Sequence, residues 1–225
     1  MRLAKPAVDV GLSTNRPDAH LTFWRDQVGL ALDAHLPIGP HQIQHRFHAG
    51  GSIVKVNGFA EPLPDGPRAG YREVLIAREM ASIPTQLVDP DGSALTIVPP
   101  GFEGIGQIGI RIAVRDLAAH RRFYTQCLGL PEEGVGRFRA GETLLILEED
   151  PQANPDAAQP SVGWRYITFQ IFKADEAHSH ALVHGAREAR PPTTLRDVAR
   201  FSIIRDPDGN AIELSQRASI VGNLD

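Results

Sequence analysis

A chain of 225 residues with 42% hydrophobic and 22% charged side chains has the make-up of a soluble globular protein, long enough for one large domain or two small ones. Its net charge of -4 and the absence of any Lys/Arg run exclude a broad nucleic-acid patch, and no stretch approaches the roughly 18 apolar residues of a membrane span. The first residues lack the apolar core of a signal peptide, and a single cysteine, Cys127, excludes an intrachain disulfide, so a reducing cytoplasm is the expected compartment.

In chain order, residues 8–14 (VDVGLST) alternate apolar with small or polar side chains and are rich in β-branched types, which predicts a strand. Residues 18–28 (DAHLTFWRDQV) follow as an amphipathic helix, with Gly29 placed for a left-handed C-terminal cap. His45 to Gly58 (HRFHAGGSIVKVNG) reads as a hairpin turning at Ala-Gly, and Gly70 to Ile76 (GYREVLI) as a further strand. Asp89 opens an Asp-Pro-Asp-Gly turn before a closing strand. Val98 to Gly106 (VPPGFEGIG) breaks regular structure and divides an N-terminal domain, 1–100, from a C-terminal domain, 101–225.

The cycle then repeats in the same order. FWRDQVGL (Phe23–Leu30) returns as FYTQCLGL (Phe123–Leu130), the hairpin as GRFRAGETLLILEE (Gly136–Glu149), GYREVLI as GWRYITF (Gly163–Phe169), and DPDGSALTIV (Asp89–Val98) as DPDGNAIELS (Asp206–Ser215). The strand QIGIRIAV (107–114) and the helix DLAAHRRFYTQCL (116–128) complete the first unit of this half. The second unit adds a helix, DEAHSHALVHGA, closed by Gly185, and a last hairpin across Asp206. The corresponding stretch of the first half is roughly two dozen residues shorter and lacks that helix, so the sheet face it would cover must be buried by the partner half or by a second copy in a homodimer. Cys127, in an apolar helical stretch, reads as a core residue, and Glu149 to Ser161 as an exposed loop.

The leading Gln107-Ile-Gly-Ile110, the helix end Phe123–Leu130 and the closing Asp206–Leu214 together resemble the vicinal-oxygen-chelate superfamily, which contains glyoxalases, bleomycin-resistance proteins and extradiol dioxygenases. The resemblance covers almost all of residues 104–217 and extends to 5–100 through the internal repeat. It implies an α+β fold of tandem βαβββ modules forming cupped mixed sheets, with the first half abbreviated. It also implies a divalent metal inside the cup that chelates neighbouring oxygens of a substrate.

Carried over residue by residue, the leading-strand positions are Gln107 and Tyr166, and the closing-strand positions are Glu148, with Glu149 an equally allowed register, and Glu213. Glu213 stands in an apolar strand where a carboxylate needs a cation or donors. Gln107 is an acceptable oxygen ligand. The resemblance thus assigns Gln107, Glu148 and Glu213 to the metal (Fe, Mn, Ni or Zn). Tyr166 stands where an extradiol dioxygenase needs His, so an ordinary enzyme of that kind is disfavoured. The phenol is either a hydrogen-bond donor or general acid beside the metal, or a packed aromatic. The first-half counterparts are Asp9, Asn57, Glu73 and Thr96, in which Asp9 and Glu73 form a possible carboxylate pair with one raised pKa.

His41, His45 and His48 cluster in the first hairpin. His48 is read as a surface imidazole or as a general base at the cup mouth, and His178, His180 and His184 as a solvated helix face. No Gly-rich phosphate loop, Gly-x-Ser-x-Gly elbow or Cys-x-x-Cys is present. The expected function is a metal-dependent isomerase, lyase or epimerase acting on a small oxygenated molecule. The alternatives are a metal-free binding protein of the bleomycin-resistance type or a ring-cleavage dioxygenase with atypical ligands.

Overall fold

The structure is a computed structural model that describes residues 1–154 and 161–224; the stretch 155–160 of the expected loop lies outside the described residues. The first unit comprises β1 (Leu3–Thr14), α1 (Pro17–Thr22) running into a wider π-type turn at Phe23–Gln27, β2 (Leu32–Gly39), β3 (Gln42–Ala49) and β4 (Ser52–Phe59). The second is β5 (Tyr71–Ala77), β6 (Thr85–Val88) and β7 (Ala94–Val98), without a helix. A 3-10 turn at Phe102–Gly104 leads into β8 (Ile108–Val114), α2 (Leu117–Arg122) with its π-type turn at Phe123–Cys127, β9 (Glu132–Gly134), β10 (Arg137–Ala140) and β11 (Thr143–Glu149). The last unit is β12 (Gly163–Ile171), α3 (Ala174–Val183), β13 (Arg187–Leu195), β14 (Ala199–Arg205) and β15 (Ala211–Arg217), followed by α4 (Ala218–Val221).

Both first-unit helices end alike. Val28 N donates to Phe23 O at 3.0 Å and Leu128 N to Phe123 O at 3.2 Å, the i→i+5 pattern of a π turn. Gly29 and Gly129 then take φ of +73° and +69°, a conformation in which a side chain would clash. The two Asp-Pro-Asp-Gly turns are also built identically: Asp89 Oδ1 accepts from Asp91 N and Ser93 N, and Asp206 Oδ1 from Asp208 N and Asn210 N. Each turn is tied to a buried helix histidine, His20 to Asp91 at 3.0 Å and His120 to Asp206 at 3.5 Å.

Two curled sheets result, with strand orders β13-β14-β15-β12-β1-β4-β3-β2 and β6-β7-β5-β8-β11-β10-β9. The first and last units share one sheet and the two middle units the other, so each sheet draws strands from both sides of the 100/101 boundary. The joining strands are β1 with β12 and β5 with β8, both antiparallel.

Period-two alternation sorts side chains between the faces. On β1, Val8, Val10 and Leu12 enter the core while Asp9 and Ser13 face the other way; on β4, Val54 and Val56 alternate with Lys55 and Asn57; on β15, Ile212 and Leu214 alternate with Glu213 and Ser215. The apolar faces of both sheets belong to one core cluster, which Trp24 anchors at 5.9 Å from Trp164 and 6.5 Å from Phe47. Val74, Ile76 and Leu95 join it, so the face left bare by the missing helix is buried by the other half of the chain. Cys127 is buried there as expected, and burial pushes its thiol up to about 11.

Candidate functional site

The concave faces of the two sheets have opposite fates. In the seven-stranded sheet the linker between halves folds into the cup: Ile105 and Phe102 pack on Leu75, Val98, Leu144 and Ile146. Gly109 is required there, because a Cβ at that position would stand 2.6 Å from the Ile105 side chain. The remaining polar space is taken by Arg111, whose guanidinium bonds Glu73 at 3.0 Å, Glu103 at 2.9 Å and Glu148 at 2.6 Å. The eight-stranded sheet instead encloses a cavity of about 450 Å³, within the range of small-ligand sites.

Lys55 lies at the centre of this open cup. It is almost fully buried, and its Nζ donates to Glu213 Oε1 at 3.0 Å and to Thr168 Oγ1 at 2.7 Å. Beneath it Asp9 is wholly buried and accepts from Lys5 Nζ at 2.5 Å, Ile53 N at 2.9 Å and Gln170 Nε2 at 3.0 Å. Burial works to raise its pKa, but the charges of Lys55 and Lys5 and these hydrogen bonds prevail, holding the Asp9 carboxyl below the usual range.

Tyr166 forms one wall. Its ring occupies the space over Gly11, where a Cβ would come within 2.2 Å of the ring carbons, and the Lys55 ammonium lies 5.4 Å from the ring centroid. Its hydroxyl accepts from Asn57 Nδ2 at 3.1 Å and from Gln44 Nε2 at 3.4 Å. Gln44 in turn donates to Asn57 Oδ1 at 3.0 Å and accepts from Arg46 Nη1 at 3.1 Å. Donors therefore run one way, from Arg46 to the phenol, which keeps its own proton for the cavity. Burial, then the Glu213 charge, raises the pKa of Tyr166 far above its ordinary value, so the phenol stays protonated.

The residues assigned to one metal do not meet. Glu213 faces the open cup and Glu148 the plugged one, where it pairs with Arg111. Gln107 precedes β8 and serves neither cup: its Oε1 accepts from Gly51 N at 2.5 Å and pins the β3–β4 turn. Glu149 accepts from Leu117 N at 3.2 Å at the start of α2. Asp9 and Glu73 stand on different sheets, and Asp9 is shifted down rather than up, so the expected carboxylate pair is corrected on both counts. Thr96 donates to Glu73, and Asn57 belongs to the Tyr166 network.

The hairpin imidazoles are likewise dispersed. His48 is exposed and pairs with Asp33 at 3.2 Å outside the cavity lining, His41 lies 3.8 Å from Glu61, and His45 contacts His35. His180 and His184 are exposed as expected, whereas His178 is buried against Glu188 at 2.8 Å. Among the described residues no three His, Cys, Asp or Glu side chains are grouped to hold an ion.

The donor set of the open cup does not fit Fe, Mn, Ni or Zn. A divalent ion at Glu213 would have to share the carboxylate with an ammonium 3.0 Å away, beside a phenol that stays neutral. The positive charge that the resemblance assigns to a metal is carried here by a side chain. Lys55 carried the same signal as Glu213, a lone charge between buried valines in SIVKVNG, and two opposite charges so placed are natural partners.

Among the described residues no helix is long and apolar enough to cross a membrane. No curated protein matches the sequence. Among solved structures, a mutant of glyoxalase I from Zea mays superposes with a TM-score of 0.75 at 13% identity, covering 100% of this chain and 96% of its own. Another structure of glyoxalase I from Zea mays gives 0.73 at 12% identity, over 96% and 95%. A putative dioxygenase from Bacillus subtilis gives 0.68 at 14% identity, over 98% and 91%. At these identities the likeness is one of fold. The family profile described as Glyoxalase/Bleomycin resistance protein/Dioxygenase superfamily matches residues 104–214. Residues 104–214 thus belong to the glyoxalase, bleomycin-resistance and dioxygenase superfamily, the vicinal-oxygen-chelate proteins, and the fold agrees with that of the structural neighbours over the whole chain.

Proposed function

We propose that this protein binds a small oxygenated organic molecule in the cup of the eight-stranded sheet, and that the Lys55 ammonium meets the ligand oxygen in place of a divalent metal. The observation that carries this reading is the Lys55–Glu213 contact at 3.0 Å on the floor of the open cavity. Lys55 supplies fixed positive charge, the Tyr166 hydroxyl supplies a proton donor beside it, and the Gln44–Asn57 amides hold that hydroxyl in place. A binding role is favoured over an isomerase, lyase or epimerase because the carboxylate available as a base, Glu213, is already neutralised by Lys55.

The test is a thermal-shift screen of carbonyl compounds, phenols and carboxylic acids on untagged protein, with hits repeated in EDTA and on Lys55→Met. Stabilisation should survive EDTA and disappear in the variant. Hits abolished by EDTA and restored by added Zn, Ni, Mn or Fe would overturn the reading.

A further inference from the structure

We propose that the ligand of this cup is a small organic anion with an apolar body, held through its carboxylate or phosphate group by Arg46 and Arg217; this deepens, and rests on, the reading of the cup as a ligand site. The alternation that places Lys55 and Glu213 on the concave face places these arginines there too. Arg46 sits directly opposite Lys55 in the β3–β4 ladder, and Arg217 lies four residues beyond Glu213 along β15. Both line the cavity.

Their hydrogen bonds leave donors in hand. Arg46 gives Nε to Asp33 at 3.2 Å and Nη1 to Gln44 at 3.1 Å, and Arg217 gives Nε to Ser219 Oγ at 3.1 Å. Arg46 Nη2 and both terminal nitrogens of Arg217 have no partner among the described residues, and a guanidinium edge matches the two oxygens of a carboxylate or phosphate.

The charge inventory points the same way. Six formally positive side chains line the cavity against one carboxylate, Glu213. Setting aside Arg165 and Arg205, which are engaged elsewhere, and adding Asp9, under Lys55, and Asp33, behind Arg46, still leaves one positive charge in excess, in a chain whose net charge is -4. Like charges crowded in a half-buried cavity repel, and burial followed by repulsion from Arg46 depresses the Arg217 guanidinium below its ordinary value. An anion relieves that repulsion. The two flanks of the cavity carry apolar side chains, Leu36 and Ile38 on β2 and Phe201 and Ile203 on β14, so it suits the body of an organic ion rather than inorganic phosphate.

Calorimetry and amide-resolved NMR with phenylpyruvate, phenyl phosphate, the methyl ester of phenylpyruvate and inorganic phosphate test this. At least one of the two organic anions should shift cup resonances, bind about tenfold more tightly than the ester, and weaken by about tenfold in Arg217→Gln and Arg46→Gln but not in the exposed control Arg122→Gln. Affinity should fall as salt rises from about 50 to about 500 mM. Which organic anion binds more tightly identifies the anionic group. An ester that binds as tightly as the acids would overturn the anion inference while leaving the cup as a ligand site. If no probe perturbs a cup residue at about 20 mM, both the inference and the site fall. Arg217, at the half-exposed rim, is the variant that keeps the test open if removal of Arg46 unfolds the protein.

Discussion

Replacing Lys55 by Met removes the ammonium, keeps most of the apolar stem, and leaves the Glu213 carboxylate without its cation. Breaking one side of a buried ion pair costs about 3–5 kcal/mol. The Glu213 side chain is 17% exposed and borders an open cavity, so water recovers part of that and the lower end, about 3 kcal/mol, applies. Asp9 adds to the penalty, because Lys55 is one of the two charges holding it ionised in the core. At roughly 2–4 °C per kcal/mol for a protein of this size, the melting temperature should drop by about 6–12 °C.

Glu213→Gln is milder, about 1–2 kcal/mol, since the ammonium keeps Thr168 and the field of Asp9. Lys55→Met combined with Glu213→Leu should be more stable than Lys55→Met alone, because an apolar pair of similar volume replaces the ion pair, and should stay below wild type by the part that Asp9 loses with Lys55. Urea unfolding of wild type, Lys55→Met, Glu213→Leu and the double variant closes the cycle. A coupling below about 0.5 kcal/mol, with Lys55→Met as stable as wild type, would refute the pairing on which the account rests.

Gly11→Ala forces a Cβ to within 2.2 Å of the Tyr166 ring; it should cost about 1–3 kcal/mol in urea unfolding and weaken ligand binding by displacing that ring, and a variant unchanged in both would show that the ring does not rest there. Ile105→Ala opens the plugged cup and should cost about 2–4 kcal/mol, whereas a loss under about 1 kcal/mol would mean that the linker does not seal it. His120 is desolvated, but bonding to Asp206 and the Asp116 carbonyl and the charge of Asp208 raise its pKa above the ordinary 6.5. Its stabilisation is therefore complete below pH 6.5 and fades as pH rises through the folded-state pKa. Urea titrations across about pH 5.5–8.5 should show that decline in wild type and a flatter profile in His120→Phe, and identical profiles would contradict it.

The repeat, the glycine caps and the two Asp-Pro-Asp-Gly turns were legible in the sequence because each is written in local residues: Gly29 and Gly129 at positive φ, and Asp89 and Asp206 binding amides within four positions. The pairing of units was not. Which strand lies beside β1 depends on contacts more than 150 residues away, such as Asp9 opposite Thr168, and period-two patterning is the same whichever partner is chosen. Gln107, Glu148 and Glu213 lie in one half of the chain, but the sheets join first unit to last and second to third, which separates them. The strand β13 was hidden by Pro191 and Pro192, which an edge strand tolerates. The role of Lys55 is not legible locally, although its setting among valines is as costly as that of Glu213, because its partner lies 158 residues away.

Lys55, and not a metal ion, neutralises Glu213 in the proposed site. Elemental analysis of untagged protein, followed by melting curves with Fe²⁺, Mn²⁺, Ni²⁺ or Zn²⁺ each in about hundredfold excess over a micromolar dissociation constant, tests it most directly. No stoichiometric metal and no rise in melting temperature are expected. One equivalent of metal, with a stabilisation of about 2.7 kcal/mol that vanishes in Glu213→Gln, would contradict it.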